Sequence, residues 1–185
     1  KGPVWGFGED DMQEQIVKFI KNLSFEVEEL NLGDDFNEAA SSHEIIMNGS
    51  IAKSLSQYYK TEKEKLHPFT ISRIEAGFPV SAKQYIESIE NAKKMQQTLN
   101  KIFNKFDAII TPAAPGQAPR DLMNTGNAIF NGYWTMMGVP AISLPLLKGK
   151  DSLPIGIQII TSWNEDFKLL KIAEYILQET KELAD

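Results

Sequence analysis

Three short apolar runs, each closed or interrupted by proline or glycine, restrict this chain more than any other feature of its sequence. They are Asp107-Ala-Ile-Ile-Thr-Pro112, Ala141-Ile-Ser-Leu-Pro-Leu146 and Ile155-Gly-Ile-Gln-Ile-Ile160. Runs this short, apolar and bounded by turn residues, read as buried strands. In the third, Ile155, Ile157 and Ile159 share one face and Gln158 points the opposite way. Its amide is expected to satisfy buried backbone groups, with direct substrate contact as the alternative. The span from Thr125 to Met137 is expected to be a helix, which Gly138 and Pro140 close before the second strand opens.

Composition divides the chain at the same place. Six of the nine prolines (Pro112, Pro115, Pro119, Pro140, Pro145 and Pro154) follow Lys105. We read one unit over 1–185, with a helix-rich part over about 1–106 and a Pro/Gly-rich strand and helix part over about 107–185. In the first part, Glu9, Asp10 and Asp11 mark a helix start. Met12, Ile16, Phe19, Ile20 and Leu23 follow at helical spacing. Alternation predicts a short edge strand over Phe25–Leu32, and Pro3–Phe7 is a further candidate strand. Phe36 to Tyr59 is helical, and Pro68 punctuates it. Ser81-x-x-Gln84 is a capping box ahead of one long stripe: Tyr85, Ile89, Ala92, Leu99, Phe103 and Phe106. A last helix starts at Asn164-Glu-Asp166 and carries Phe167, Leu170, Ala173 and Leu177. Strands alternating with helices predict the α/β class, a sheet covered by helices.

The bulk numbers exclude several functions. With 185 residues, 42% of them apolar, the chain can bury an ordinary core. Its net charge of -6 has the wrong sign for a general nucleic-acid binder. The absence of cysteine excludes a disulfide framework, a thiolate nucleophile and Cys-ligated metal sites. No apolar run approaches the ~20 residues that span a bilayer. The expected setting is cytoplasmic, with neither nucleic acid nor membrane as partner. The chain opens on Lys1 rather than Met, which suggests a processed or truncated product.

No complete catalytic set is visible. A serine hydrolase elbow needs Gly-x-Ser-x-Gly, and no such stretch exists. Ser41-Ser42-His43 lies in a helical stretch, where neighbours one and two apart do not face each other. His43 and His67 are the only histidines, so a histidine-rich metal site is excluded, and His67 before Pro68 is a loop or helix-end residue. Gly6 and Gly8 lack the Gly-Lys of a phosphate loop. The carboxylate pairs Glu26/Glu28 and Asp34/Asp35 read as solvated surface. No metal and no cofactor is expected.

The second part nevertheless carries an ordered set of motifs. Asp107-Ala-Ile-Ile-Thr-Pro-Ala-Ala-Pro115 is followed by Ala118-Pro119, Thr125-Gly126 and Phe130-Asn131-x-x-Trp134-Thr135. Next come Gly138-Val-Pro-Ala-Ile-Ser-Leu-Pro145, Leu153-Pro-Ile-Gly-Ile-Gln158 and Asp166-x-x-Leu-Leu170-x-x-Ala173. Upstream, Gly77-x-x-Val-Ser81-x-x-x-Tyr85 leads into the long helix. In order and spacing this resembles the C-terminal part of the amidase-signature hydrolases, from about Arg73 onward and more loosely before it.

The resemblance implies an incomplete α/β/α sandwich: part of a mixed β-sheet covered by helices. It implies an amide hydrolase with a Ser–Ser–Lys triad, in which a lysine activates a bridging serine and that serine activates the nucleophile. In the family those residues lie upstream, in a Gly/Ser-rich stretch that nothing here matches; Gly49-Ser50 alone places serine beside glycine. No catalytic residue is therefore assigned to this chain, which would contribute fold and substrate pocket. Candidate substrate-binding residues are Thr125, Phe130, Asn131, Trp134 and Arg73. Phe130 and Trp134 would share one helix face, as pocket wall or as core. Arg73 stands where the family's tRNA-dependent amidotransferases carry an arginine, either to clamp a substrate carboxylate or to pair with a helix acid. Ala128 stands where those enzymes carry an acid for the ammonium of glutamine, which argues against glutamine and toward a small or uncharged amide.

Expected partners are a small-molecule amide in the complete enzyme and the missing N-terminal half. A homo-oligomer is left open. A stand-alone binding or regulatory domain of the same fold is the first alternative. The second is a protein like the glutamine-processing component of a glutamyl-tRNA amidotransferase. If the chain is a fragment, it should expose an edge strand and an apolar patch, and self-associate or bind its other half.

Overall fold

The computed structural model describes residues 2–182; Lys1 and positions 183–185 of the predicted single unit lie outside the described residues. The fold is α/β: six α-helices and a three-stranded sheet among the described residues. The helices are α1 (Asp10–Lys21), α2 (Ala39–Thr61), α3 (Pro68–Gly77), α4 (Ala82–Phe103), α5 (Gly132–Met137) and α6 (Asp166–Glu182). The strands are β1 (Ile109–Pro112), β2 (Ala141–Lys148) and β3 (Pro154–Ile160).

The helical part follows its local signals. α1 carries Asp10 and Asp11 in its first turn and Lys18 and Lys21 in its last, matched to the helix dipole, and buries Met12 and Ile16. α3 starts at Pro68, with His67 as N-cap: the Phe69 N–H donates to His67 Nδ1 at 3.2 Å. At the other end of α3, a Cβ on Gly77 would stand 2.6 Å from the Ala52 Cβ and closer still to the Asn48 carbonyl. α2 and α3 thus meet backbone to backbone, which only glycine allows. α4 begins with the expected capping box: Gln84 N–H donates to Ser81 Oγ at 3.2 Å, and Ser81 N–H to Gln84 Oε1 at 3.0 Å.

Two expected strands are absent. Trp5–Phe7 is a turn of 3-10 helix rather than part of a strand over Pro3–Phe7. Pro3 offers no N–H, and the 3-10 turn closes on itself through Phe7 N–H to Val4 O at 3.0 Å. Phe25–Leu32 lies outside the sheet: Glu26 to Leu32 is irregular chain. Its apolar residues are drawn apart. The Phe25 ring meets Tyr175 at 5.6 Å between centroids, whereas Leu32 is buried in the main core.

The three apolar runs do form the sheet, in the order β1-β3-β2, with both pairs antiparallel. Thr111, Gln158 and Ser143 stand side by side across it. Between Leu144, opposite Ile157, and Leu147, opposite Ile155, β2 carries one residue more than β3. This bulge falls at Pro145, which cannot donate to a ladder.

The helix expected over Thr125–Met137 is real only from Gly132. Upstream, Asp121, Asn124 and Asn127 each accept the N–H two residues on, from Met123 at 2.9 Å, Gly126 at 2.9 Å and Ile129 at 3.0 Å. Such side-chain turns compete with helix formation, and Gly126 has a φ of 85°. Gly138, at φ 67°, ends α5 as expected.

One core cluster joins both parts: Met12, Ile16, Met95, Leu99, Phe130, Trp134, Ile155 and Ile157 all belong to it. A second places Leu169, Ala173 and Ile176 of α6 against Leu144 and Ile159. α6 buries a face shifted from the expected one, leaving Phe167 71% and Leu170 57% exposed. No described helix is long and apolar enough to cross a membrane.

Candidate functional site

The loop that leaves the end of β1 is the natural place for a site, because strand ends and their loops converge there. It runs through Ala113–Ala128 and borders a cavity of about 890 Å³, whose wall also includes Glu9, Asn131, Ser143 and Gly156. Glu9 ties α1 to this loop: its N–H donates to the Pro115 carbonyl at 2.7 Å. Its carboxylate packs against Gly116, where a Cβ would stand 2.5 Å from Oε2. At Gly156 a Cβ would stand 2.9 Å from the Ala113 Cβ and nearer to Ser143 Oγ. Glycine here keeps β3 close to the loop.

Asn131 is fixed by a polar relay. Gln158 Nε2 donates to Asn131 Oδ1 at 2.7 Å, and Asn131 Nδ2 donates to the Ala113 carbonyl at 2.9 Å. The relay sets which way the Asn131 amide points, and Asn131 lines the cavity. Gln158 is 7% exposed, and its Oε1 has no partner among the described residues. Its amide thus reaches a side chain first and a backbone carbonyl only through Asn131.

Of the predicted site residues, Thr125 and Asn131 line this cavity together. Phe130 and Trp134 are buried in the main core, at 1% and 2% exposure. Phe130 precedes α5, so the two do not share a helix face. Arg73 stands elsewhere, on α3. Its Nη1 pairs with Glu44 Oε1 at 2.9 Å, and its guanidinium lies 5.1 Å from the Phe69 ring centroid. Ser143 and Gly156 join the site from two of the quoted motifs without having been read as site residues, and Glu9 joins it from outside any of them. For Glu9 the signal available in the sequence is its place among the acids at the start of α1.

Glu9 and Asp121 are titratable groups of the cavity wall; two groups with shifted pKa values, His43 and Tyr133, are not among its lining residues. Burial lowers the pKa of His43; Glu44 raises it and Arg73 lowers it further, and the His43 ring packs against Gly132 at the start of α5. Burial pushes the Tyr133 phenol up, against a smaller downward pull from the Trp134 indole N–H. That N–H is near the phenol but without hydrogen-bond geometry, and it has no acceptor among the described residues. Ser41 Oγ donates to Glu38 Oε2 at 2.7 Å, and Ser42 Oγ accepts from Asn91 at 3.3 Å, so neither serves His43. Among the described residues, no serine hydroxyl is hydrogen-bonded to a lysine or histidine side chain. The cavity lining, with Thr125, Asn127 and Asn131 among its polar residues, can orient a polar ligand.

A model of the family described as Amidase matches residues 14–170. A glutamyl-tRNA(Gln) amidotransferase subunit of Clostridium botulinum (strain Eklund 17B / Type B) is 31% identical over 144 residues, 71% of this chain and 30% of that protein. Among solved structures, a crystal structure of an amidase superposes with a TM-score of 0.82 at 18% identity, covering 99% of this chain and 45% of that one. The inhibitor-bound complex of an s-triazine catabolic enzyme superposes at 0.84 and 17% identity, covering 98% and 42%. The chain spans less than half the length of each of these proteins.

Proposed function

Because this chain belongs to the amidase family, we propose that it is the carboxyl-side portion of a cytoplasmic hydrolase that cleaves carboxylic amides to acid and ammonia or amine. The Ser–Ser–Lys triad lies upstream of this chain, and the chain supplies fold and part of the substrate pocket. One observation carries the reading. A cavity at the end of β1 presents Thr125 and an Asn131 amide locked by Gln158, with no base–nucleophile pair beside it among the described residues. An oriented amide group without a nucleophile binds and positions; it does not turn over. Phe130 and Trp134 back this wall from the core, and Arg73 acts through the α2–α3 pair rather than on substrate.

The test starts with the DNA ahead of the Lys1 codon. An open frame encoding a Gly/Ser-rich stretch and a lysine is expected. A start codon close upstream with no such stretch would overturn the reading in favour of a stand-alone binding domain. In the longer protein, Asn131→Ala should lower kcat/KM on a panel of small amides more than it lowers the melting temperature.

A second reading has one observation in its favour, the glutamyl-tRNA(Gln) amidotransferase relative. It requires glutamine-dependent ammonia release with partner proteins present. Ala128 in the cavity wall offers no charge to an ammonium group.

A further inference from the structure

A cavity of about 600 Å³ lies between α2 and the start of α4, and it shares no lining residue with the cavity at the end of β1. Gly49, Ser50, Lys53 and Ser54 bring one face of α2 to it. Glycine opens its floor: a Cβ on Gly49 would stand 3.1 Å from Tyr85 Cδ2 and 3.6 Å from Val80 Cγ1. Of the lining residues, Lys53 alone carries a charge at neutral pH. Its ammonium makes no ion pair among the described residues. The sequence explains why. The chain holds 25 acids, yet none falls between Glu44 and Glu62 or between Glu75 and Glu87.

Hydroxyl groups stand beside this charge. Ser50 Oγ and Tyr85 Oη lie 3.0 Å apart. One hydrogen bond between two hydroxyls uses one proton and leaves the other free to donate. Ser54 Oγ also lines the cavity and makes no hydrogen bond among the described residues. Ser81 Oγ, by contrast, is spent on the α4 cap, where it accepts from the Gln84 N–H and donates to Gln84 Oε1 at 2.8 Å.

We propose that this cavity binds a small organic monocarboxylate with an apolar body. Every free polar group in it donates: the Lys53 ammonium, the Ser54 hydroxyl and the spare proton of the Ser50–Tyr85 pair. Charge-assisted bonds to an oxyanion are the strong kind, and no acid in the lining opposes them. One ammonium balances one negative charge, whereas a phosphate dianion would keep half of its charge unmatched. A cationic ligand would meet Lys53 and no carboxylate. Val80, the Tyr85 ring and Ile86, the last 55% exposed, let the apolar body leave water.

The experiment titrates the full chain with sodium benzoate and, separately, with benzamide, its uncharged isostere, at fixed ionic strength and neutral pH. Backbone amide shifts are followed by two-dimensional NMR. Benzoate should give saturable shifts at Gly49–Ser54 and Val80–Ile86, with a Kd in the millimolar range that a ligand of this size allows. At these residues benzamide should bind about ten-fold more weakly, or worse. Lys53→Met should weaken benzoate by about ten-fold or more and keep the melting temperature, because the position is exposed. Lys53→Arg should retain binding. Gly49→Ala should weaken benzoate with the charge unchanged, because the new Cβ displaces the Tyr85 ring. Equal binding of benzoate and benzamide at these residues, shifts spread over lysines of other surfaces, or binding that survives Lys53→Met would each overturn the proposal. So would the absence of any saturable shift up to about 50 mM benzoate. Binding that survives Gly49→Ala would put the carboxylate on an open charged surface and overturn the cavity as its site.

Discussion

Ser81 and Thr125-Gly126 each mark a helix start in the sequence, and only the first opens a helix. At Ser81 the side chain and the Gln84 amide satisfy each other's backbone groups, and α4 runs on for 22 residues. Between Asp121 and Asn131 the same kind of bond, a side-chain oxygen accepting a nearby N–H, is spent three times on separate turns. The contrast lies in register. A cap that reaches the third helical residue nucleates a helix, whereas Asp and Asn bonding two residues ahead hold the chain in turns. The outcome matters for function, because these turns form one wall of the larger cavity.

The helical part and the strand part can be set against each other by substitution. The largest effect is expected from Ile157→Ala in β3 and Leu99→Ala in α4, at 0% and 1% exposure in the same cluster. Each should cost about 2–5 kcal/mol. Urea melts followed by circular dichroism and by tryptophan fluorescence should shift together for both variants. Two separated transitions would show that the parts fold independently and break the comparison.

Gly77→Ala should come next, at about 1–3 kcal/mol, because the new Cβ drives α3 off α2. A smaller loss, read by calorimetry, would mean that the helices part without strain. Asn131→Ala, which strips Gln158 of its acceptor, should cost about 1–3 kcal/mol. Ser81→Ala should cost about 1 kcal/mol, so the polar relay should outweigh the cap in the same melts.

The sharpest version of the comparison is a small effect. Replacing Asn124, Gly126 and Asn127 together by Ala removes two of the three turns and should lengthen α5 at its start. The helical signal at 222 nm should rise, with stability changed by about 1 kcal/mol or less. An unchanged signal would mean that the cavity wall, not the Asn turns, holds the loop. The mildest effect concerns pH. His43 has its pKa lowered from 6.5 by burial, so the fold favours its neutral form. That contribution is present above pH 6.5 and is lost as pH falls through the lowered folded value. His43→Gln should therefore flatten the stability profile just below pH 6.5; an unaltered slope would place its titration elsewhere.

Legibility followed the range of the interactions. The capping box at Ser81, the Gly138 stop and the three strands were all readable, since each depends on residues a few positions apart; Pro68 was read as punctuation, and that it opens α3 was not. Phe25–Leu32 shows the limit. Its alternation is that of a strand, but the described sheet is made of β1, β2 and β3, and Glu26 to Leu32 is irregular chain. α6 shows another: Phe167/Leu170 and Leu169/Ala173/Ile176 are both acceptable helical stripes, and packing on Leu144 and Ile159 chose the second. At the candidate site, Thr125 and Asn131 were legible from the motif they stand in. Glu9, more than a hundred positions earlier, was not.

By itself, the sequence determined the class of the fold, the Ser81 cap, the Gly138 stop, the three strands of the sheet and the family to which they point, because hydrogen-bond partners within a turn or two are written into neighbouring residues. Tertiary structure alone decided that Gln158 holds Asn131 and that Arg73 pairs with Glu44 instead of facing the cavity. It alone paired β1 with β3 and set Gln158 between Thr111 and Ser143. Those outcomes depend on which surfaces meet across the chain, and the free energy of such meetings belongs to the packed pair rather than to either stretch of sequence.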